Sequence, residues 1–237
     1  IPMSAENQID LFDLTNAGNG ASSTRFDPDL IPTSASIPIP VGTYQNMEQI
    51  KAHCSQCHRC ELGNTRTNAV VGEGNLQADI MVVGEGPGQV EDETGRPFVG
   101  RSGELLDKIL ASVELTREHD VFICNVVKCR PPENRDPKDG EATACSGYLL
   151  EQIRLVNPKI ILLTGKIALK NLLGIKVGIT KVRGQWYEQD GRLYMPIFHP
   201  AYLLRNQSRE QGSPKWLMWQ DVQAVRAKLD ELRSPEN

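Results

Sequence analysis

"ADIMVVGEGPG", Ala78 to Gly88, passes from a short apolar run into a segment in which three residues of five are glycine. A short apolar run closed by glycine reads as a strand buried on both faces, and the glycines beyond it mark a turn into a loop. Working outward, the same alternation recurs. Upstream, "NMEQIKAHC" has helical spacing; downstream, "GELLDKILASV" is helical and "DVFICNVV" is strand-like. Next come "GEATACSGYLLEQIRLV" as helix, "KIILLTG" as strand, "KIALKNLLG" as helix closed by Gly174, and "LYMPIFH" as strand. The final helix is "PKWLMWQDVQAVRAKLDELR", with proline near its start. Apolar strands alternating with helices predict an α/β fold, a mostly parallel sheet covered on both faces. Working residues in such folds lie at the carboxyl ends of strands. The segments to inspect are therefore "GEGPG", "NVVKC", "TGK" and "HPAYLLRN".

The chain of 237 residues has room for one domain with an extension. Ile1-Pro2 reads as a scar ahead of a natural start at Met3, and residues 1–44, rich in Ser, Asn, Pro and Thr, read as a flexible arm. Residues 45–234 form the folded domain and 235–237 a tail. No apolar run reaches membrane-spanning length and the start lacks a signal pattern, so we expect a soluble, cytoplasmic monomer. The net charge is -4, yet between Thr164 and Lys215 nine Lys and Arg face three Asp and Glu, an excess of +6 that leaves -10 elsewhere. One face can therefore still meet phosphates.

Three strand-end motifs carry chemistry. "GEGPGQVEDETGRPFVGRSGELL" lacks the Gly-Lys-Ser/Thr of a Walker loop, and its first glycines are not expected to lead directly into a helix as a dinucleotide fingerprint requires. What remains is a loop carrying Glu85, Glu91, Asp92 and Phe98, carboxylates beside an aromatic, suited to a planar polar ligand. In "NVVKCRPPENRDP", Asn125 stands near a strand end where its amide presents a donor beside an acceptor, with Lys128, Arg130 and Arg135 supplying positive charge. "HPAYLLRN" places His199 at a strand end, followed by an aromatic, two leucines read as exposed, and Arg205; base-step wedges are built this way.

Six cysteines, three of them in "HCSQCHRC", look unlike a disulfide framework and point to a metal site. Cys54 with Cys57 and Cys57 with Cys60 are equally good Cys-x-x-Cys pairs, so local spacing leaves the ligands open. Four thiolates suit iron–sulfur and structural zinc alike.

The motifs "GEGPGQVEDETGRPFVG", "NVVKCRPPENRDP" and "HPAYLLRN", in that order, resemble those of the family 4 uracil-DNA glycosylases, iron–sulfur enzymes of bacteria and archaea, over roughly residues 55–233. The resemblance implies a three-layer αβα sandwich around a mostly parallel four-stranded sheet. It implies a repair enzyme that flips uracil out of DNA and hydrolyses its glycosidic bond, leaving an abasic site. It also implies a [4Fe–4S] cluster on Cys57, Cys60, Cys129 and Cys145, with Cys54 spare and Cys124 in the core. "CELGNTRTNAVVGEGN" matches the family's spacing without a gap.

By the same resemblance Phe98 stacks on the extruded base, Asn125 reads its O4 and N3–H edge, and His199 meets O2 as charge develops there. Glu85 positions or activates water; where the wider superfamily keeps a catalytic Asp one position later, this chain has Gly86. Glu91 guards the C5 edge and Asn134 supports the pocket. Tyr202, Leu203 and Leu204 fill the gap left in the duplex, while Arg130, Arg135 and Arg205 hold DNA. A DNA-crosslinking relative with little turnover would carry a basic insertion after "ED", and "EDETGRPFVG" has none. In the arm, "QIDLF" resembles the short peptide that docks on the replication sliding clamp, with Gln8, Leu11 and Phe12 as its anchors.

Overall fold

The computed structural model of the chain describes residues 38–234. Gln8, Leu11 and Phe12 of the clamp-like peptide lie outside the described residues, as do residues 235–237. Four strands form the parallel centre: β2 (Ile80–Gly84), β3 (Val121–Asn125), β4 (Ile160–Thr164) and β6 (Arg192–Ile197). Two short antiparallel edge strands, β1 (Glu73–Gly74) and β5 (Tyr187–Gln189), extend the expected four-stranded sheet to six, in the order β1-β3-β2-β4-β6-β5. Asp190 and Gly191, both at positive φ, turn β5 back on β6; Asp-Gly is the residue pair that such two-residue hairpins favour.

Every residue of β2, β3 and β4 is buried. Successive side chains point to opposite faces, so each strand feeds two cores. Met81, Val83, Phe122, Cys124, Ile161 and Leu163 pack beneath α1 (Met47–Ser55), α4 (Asp139–Val156) and α5 (Lys166–Leu173). Ile80, Val82, Val121, Ile123, Ile160 and Leu162 pack beneath α3 (Arg101–Ala111) and α8 (Pro214–Arg233). The result is the expected three-layer sandwich. Among the described residues no helix is long and apolar enough to cross a membrane.

Two expectations need correction. The domain begins before residue 45: Ile39 and Tyr44 are buried, Ile39 lies against Gly147 of α4, and the Tyr44 amide donates to Glu151. Lone apolar residues among prolines show no periodicity, and their partner surface comes from a helix a hundred residues away. Secondly, the first glycines do lead into a helix, α2 (Gln89–Thr94), which is too short to register as a periodic pattern.

Candidate active site

Three strand ends and one loop converge on a cleft of about 990 Å³. Its floor is set by Gly84, the last residue of β2. A Cβ there would stand 2.3 Å from Asn125 Oδ1 and 2.6 Å from the Phe98 ring, so the missing side chain is what lets both groups lie on the strand. Asn125 closes β3 opposite Gly84 in the parallel register. It is buried, and its Oδ1 has no hydrogen-bond partner in the protein. Buried polar atoms are nearly always satisfied, so an orphaned acceptor at a cleft floor calls for a ligand donor.

Phe98 stands on a left-handed backbone, φ 50°, and its ring lies 5.9 Å from the His199 ring at 32°. Glu91 contributes to this loop: its Oε1 accepts from the amides of Val99 (3.0 Å) and Gly100 (2.8 Å), where α3 begins. Glu91 also lines the cleft. Asp92 does not; it is buried on the other side of α2 and accepts from the Thr67 and Asn68 amides, so it leaves the carboxylate set expected of this loop.

His199 follows β6 and caps α7 (Pro200–Arg205), its Nδ1 accepting from the Ala201 amide at 3.1 Å. Burial, with Arg205 nearby and only partly offset by Glu91, lowers its pKa to about 4. The ring is therefore neutral near pH 7, and with Nδ1 accepting, Nε2 carries the proton and is a donor. Glu85 lies on the same cleft wall, its pKa raised to about 7 by burial first and then by the charge and hydrogen bond of Asp136. Lys166 works the other way on Glu85, and it pairs with Asp136 at 2.5 Å. Gly86 lines the cleft too, and a Cβ there would meet Val127 at 2.8 Å. Asp136 and Lys166 both lie in strand-end segments that the sequence marks, "NVVKCRPPENRDP" and "TGK", yet neither has a role readable from local sequence.

Around the mouth, Asn134, Arg135, Tyr202 and Arg205 line the cleft, joined by Arg101. Asn134 Oδ1 accepts from Arg130 Nε at 2.7 Å. Arg135 is held in two hydrogen bonds by Glu141, so its charge is engaged within the protein rather than free for phosphate. "HPAYLLRN" is a helix, not a loop, and its two leucines part company. Leu203 is 1% exposed in the core beneath α3 and α8, which removes it from the wedge, while Leu204 is partly exposed. Helical geometry turns adjacent residues 100° apart, and here that rotation buries Leu203 while leaving Leu204 partly exposed. Tyr202 is half-buried against Phe198, rings 5.1 Å apart.

On the opposite side of the "KC" step, Cys54, Cys57, Cys60, Cys129 and Cys145 line one recess with Lys128 and Tyr148. Among the described residues no three His, Cys, Asp or Glu side chains converge as on a single ion. The thiols instead wall a shared space. Cys124 is in β3, in the core away from the recess. Burial raises Cys129 to about 11 and Cys145 to about 12, so thiolates here require cationic partners. Lys128 is one: it is 1% exposed and has no carboxylate pair among the described residues, its Nζ donating to the Asn125 carbonyl at 2.5 Å. Its main-chain amide donates to Cys145 Sγ at 3.3 Å. Arg66 reaches Cys129 Sγ at 3.6 Å and holds the Cys57 carbonyl at 2.5 Å. An unpaired buried ammonium facing thiols fits a recess whose contents carry negative charge. Cys54 shares the recess, so its position alone does not set it apart from the other four.

Residues 71–223 match the family described as the Uracil DNA glycosylase superfamily. The chain belongs to that superfamily. It is 52% identical over 168 residues to the Type-4 uracil-DNA glycosylase of Thermotoga maritima, an alignment covering 69% of this chain and 86% of the relative. It is likewise similar to the type-4 proteins of Sulfurisphaera tokodaii (46% over 170 residues, covering 68% and 77%) and Archaeoglobus fulgidus (42% over 176 residues, covering 70% and 88%). Within the superfamily its place is the type-4 branch.

Proposed function

We propose that the chain hydrolyses the glycosidic bond of uracil in DNA, releasing the base and leaving an abasic site, as a base excision repair enzyme. The observation that carries this reading is the buried, unpartnered Oδ1 of Asn125 beside Phe98. Uracil offers an N3–H donor next to an O4 acceptor, complementary to an amide's Oδ1 and Nδ2. Cytosine reverses that pattern and would leave two buried groups mispaired, an error of about 1–3 kcal/mol for each. The ring must leave the stack to reach the cleft floor, where Phe98 supplies a stacking face.

His199 donates from Nε2 to the base O2, where negative charge develops as the bond breaks. A neutral imidazole suits this because the Ala201 amide fixes its tautomer and its pKa of about 4 keeps it from titrating near neutrality. Glu85 takes the water's proton. A carboxyl poised near 7 is matched to base catalysis at neutral pH, and Asp136 with Lys166 tunes it. Arg101 and Arg205 face the phosphates at the mouth, Tyr202 and Leu204 occupy the gap in the duplex, and Glu91 stands at the C5 edge.

We further infer that Cys57, Cys60, Cys129 and Cys145 hold a [4Fe–4S] cluster. The shared recess and the unpaired charge of Lys128 support it. When bound, the cluster cross-links α1's exit, the "KCRPP" loop and α4. The test is incubation with oligonucleotides carrying one uracil or a matched thymine, followed by alkaline cleavage of abasic sites, together with iron and sulfide analysis. Cleavage at uracil alone, by a brown, iron-bearing protein, is the expected result. No strand scission at uracil overturns the activity, and a colourless zinc protein overturns the cluster.

A further inference from the structure

We infer that Arg117 is a positioning residue for Phe98, an inference that rests on the stacking role proposed above. Arg117 lies in the turn after α3, outside every motif, and is 9% exposed. Its Nη1 donates to the Pro97 carbonyl at 2.7 Å and its Nη2 to the Phe98 carbonyl at 2.6 Å. Nε and Nη2 also grip Asp107 of α3, at 3.1 and 2.9 Å. The guanidinium thus ties two consecutive loop carbonyls to the helix that follows them.

The loop needs this hold. Phe98 adopts φ 50°, a conformation that bulky side chains disfavour. Left to itself the residue would relax to negative φ and swing its ring off the Gly84 floor. Three restraints oppose that swing. Glu91 fixes the amides of Val99 and Gly100 just downstream. Gly103 lets α3 sit against the Phe98 backbone, where a Cβ would come within 1.8 Å of the Phe98 carbonyl oxygen. Arg117 is the third, and the one that binds the Phe98 carbonyl itself. The Thr116–Asp120 turn holds Arg117 in turn: the Asp120 amide donates to the Thr116 carbonyl at 3.0 Å, and Asp120 Oδ2 accepts from the Thr116 amide. Arg96, paired with Glu73 at 2.7 Å, anchors the other end of the same loop. Arg117, Asp107 and the Thr116–Asp120 turn lie outside the cleft lining, so the effect of Arg117 on cleavage passes through Phe98.

The test is a double-mutant cycle on the full chain with R117Q, F98A and the pair, read by single-turnover uracil release and by melting temperature. A glutamine cannot span both carbonyls and Asp107. R117Q alone is expected to slow release at least roughly tenfold, while R117Q in the F98A background is expected to lie within about threefold of F98A. The loss of melting temperature should persist in both backgrounds, which separates positioning from general destabilisation. Equal slowing in both backgrounds, or a wild-type rate in R117Q, overturns the inference. Should R117Q not fold, R117K takes its place: it keeps charge and one carbonyl, so it should slow release less and remain non-additive with F98A, additivity again overturning the inference. F98A at the wild-type rate would instead refute the stacking role itself.

Discussion

Substituting Gly84 by alanine probes the cleft floor with a single methyl group. Gly84 has ordinary strand dihedrals, outside the positive-φ glycines, so alanine brings no backbone strain and the effect comes from contact alone. The new Cβ would stand 2.3 Å from Asn125 Oδ1 and 2.6 Å from two atoms of the Phe98 ring. Ordinary contact begins at 3.4 Å, so the shortfalls are 3.4 - 2.3 = 1.1 Å and 3.4 - 2.6 = 0.8 Å. Both neighbours are side-chain ends on held backbones: Asn125 is paired through its strand with Gly84 itself, and the Phe98 carbonyl is held by Arg117. Relief must come from moving the two groups that meet the base. Overpacking of this kind costs about 1–3 kcal/mol of folding stability. A misplacement near 1 Å costs on the order of 10²-fold in rate, or ~2.7 kcal/mol of transition-state stabilisation. The assay is single-turnover release of uracil from an oligonucleotide, with thermal melting by circular dichroism alongside. The control is Gly140→Ala in α4, where a Cβ meets nothing within 4 Å and the rate should equal wild type. A folded G84A that releases uracil at the wild-type rate would refute the assignment of Asn125 and Phe98 to base recognition.

Further outcomes follow from the same geometry. Asn125→Ala should lose about 1–3 kcal/mol or more of transition-state stabilisation, measured as the ratio of kcat/KM values; an unchanged ratio removes Asn125 from the site. Release should fall as pH drops through about 7, where Glu85 takes up a proton, and E85Q should lack that inflection. Because the Glu85 pKa is raised in the folded state, its contribution to stability is present below its ordinary 4.5 and lost as pH rises through about 7. Above pH 7, E85Q should therefore melt higher than wild type, and a lower melting point contradicts the burial argument. Alanine at Cys57, Cys60, Cys129 or Cys145 should reduce iron per chain and folded yield, whereas Cys54→Ala and Cys124→Ala should keep both. Iron lost in C54A but kept in C60A would move the ligand pair one step toward the N-terminus. Lys128→Met, which keeps most of the side-chain volume and removes the charge, should slow release roughly tenfold to a hundredfold through the Asn125 carbonyl. Wild-type rate and iron content together would leave the buried ammonium without a role in either site.

Long, strongly patterned elements were legible in the chain, and short ones were not. "IMVV", "VFIC" and "IILL" read as strands because burial on both faces leaves no polar position to interrupt them. The six-residue helices α2 and α7 and the two-residue β1 are shorter than the window over which periodicity has meaning. Leu203 illustrates the consequence. Read as loop, "LL" exposes two apolar side chains; as helix, it buries one and presents the other.

By itself the sequence determined which residues stand at strand ends, because strand length and the glycine or polar residue that closes a strand are local properties. Gly84, Asn125 and His199 were therefore recognisable as members of one rim, and the spacing of "KC" and the helical cysteine already paired the distant thiols by resemblance. Tertiary structure alone decided what those residues are chemically. The orphaned acceptor of Asn125, the neutral ring of His199 and the raised pKa of Glu85 arise from burial and from partners such as Asp136, 51 positions along the chain from Glu85. So do the engagement of Arg135 by Glu141, the hold of Arg117 on Phe98 and the bridge that Lys128 makes between the base site and the cysteine recess. Desolvation and charge pairing depend on which side chains packing brings within a few ångströms, and that distance is not a function of separation along the chain.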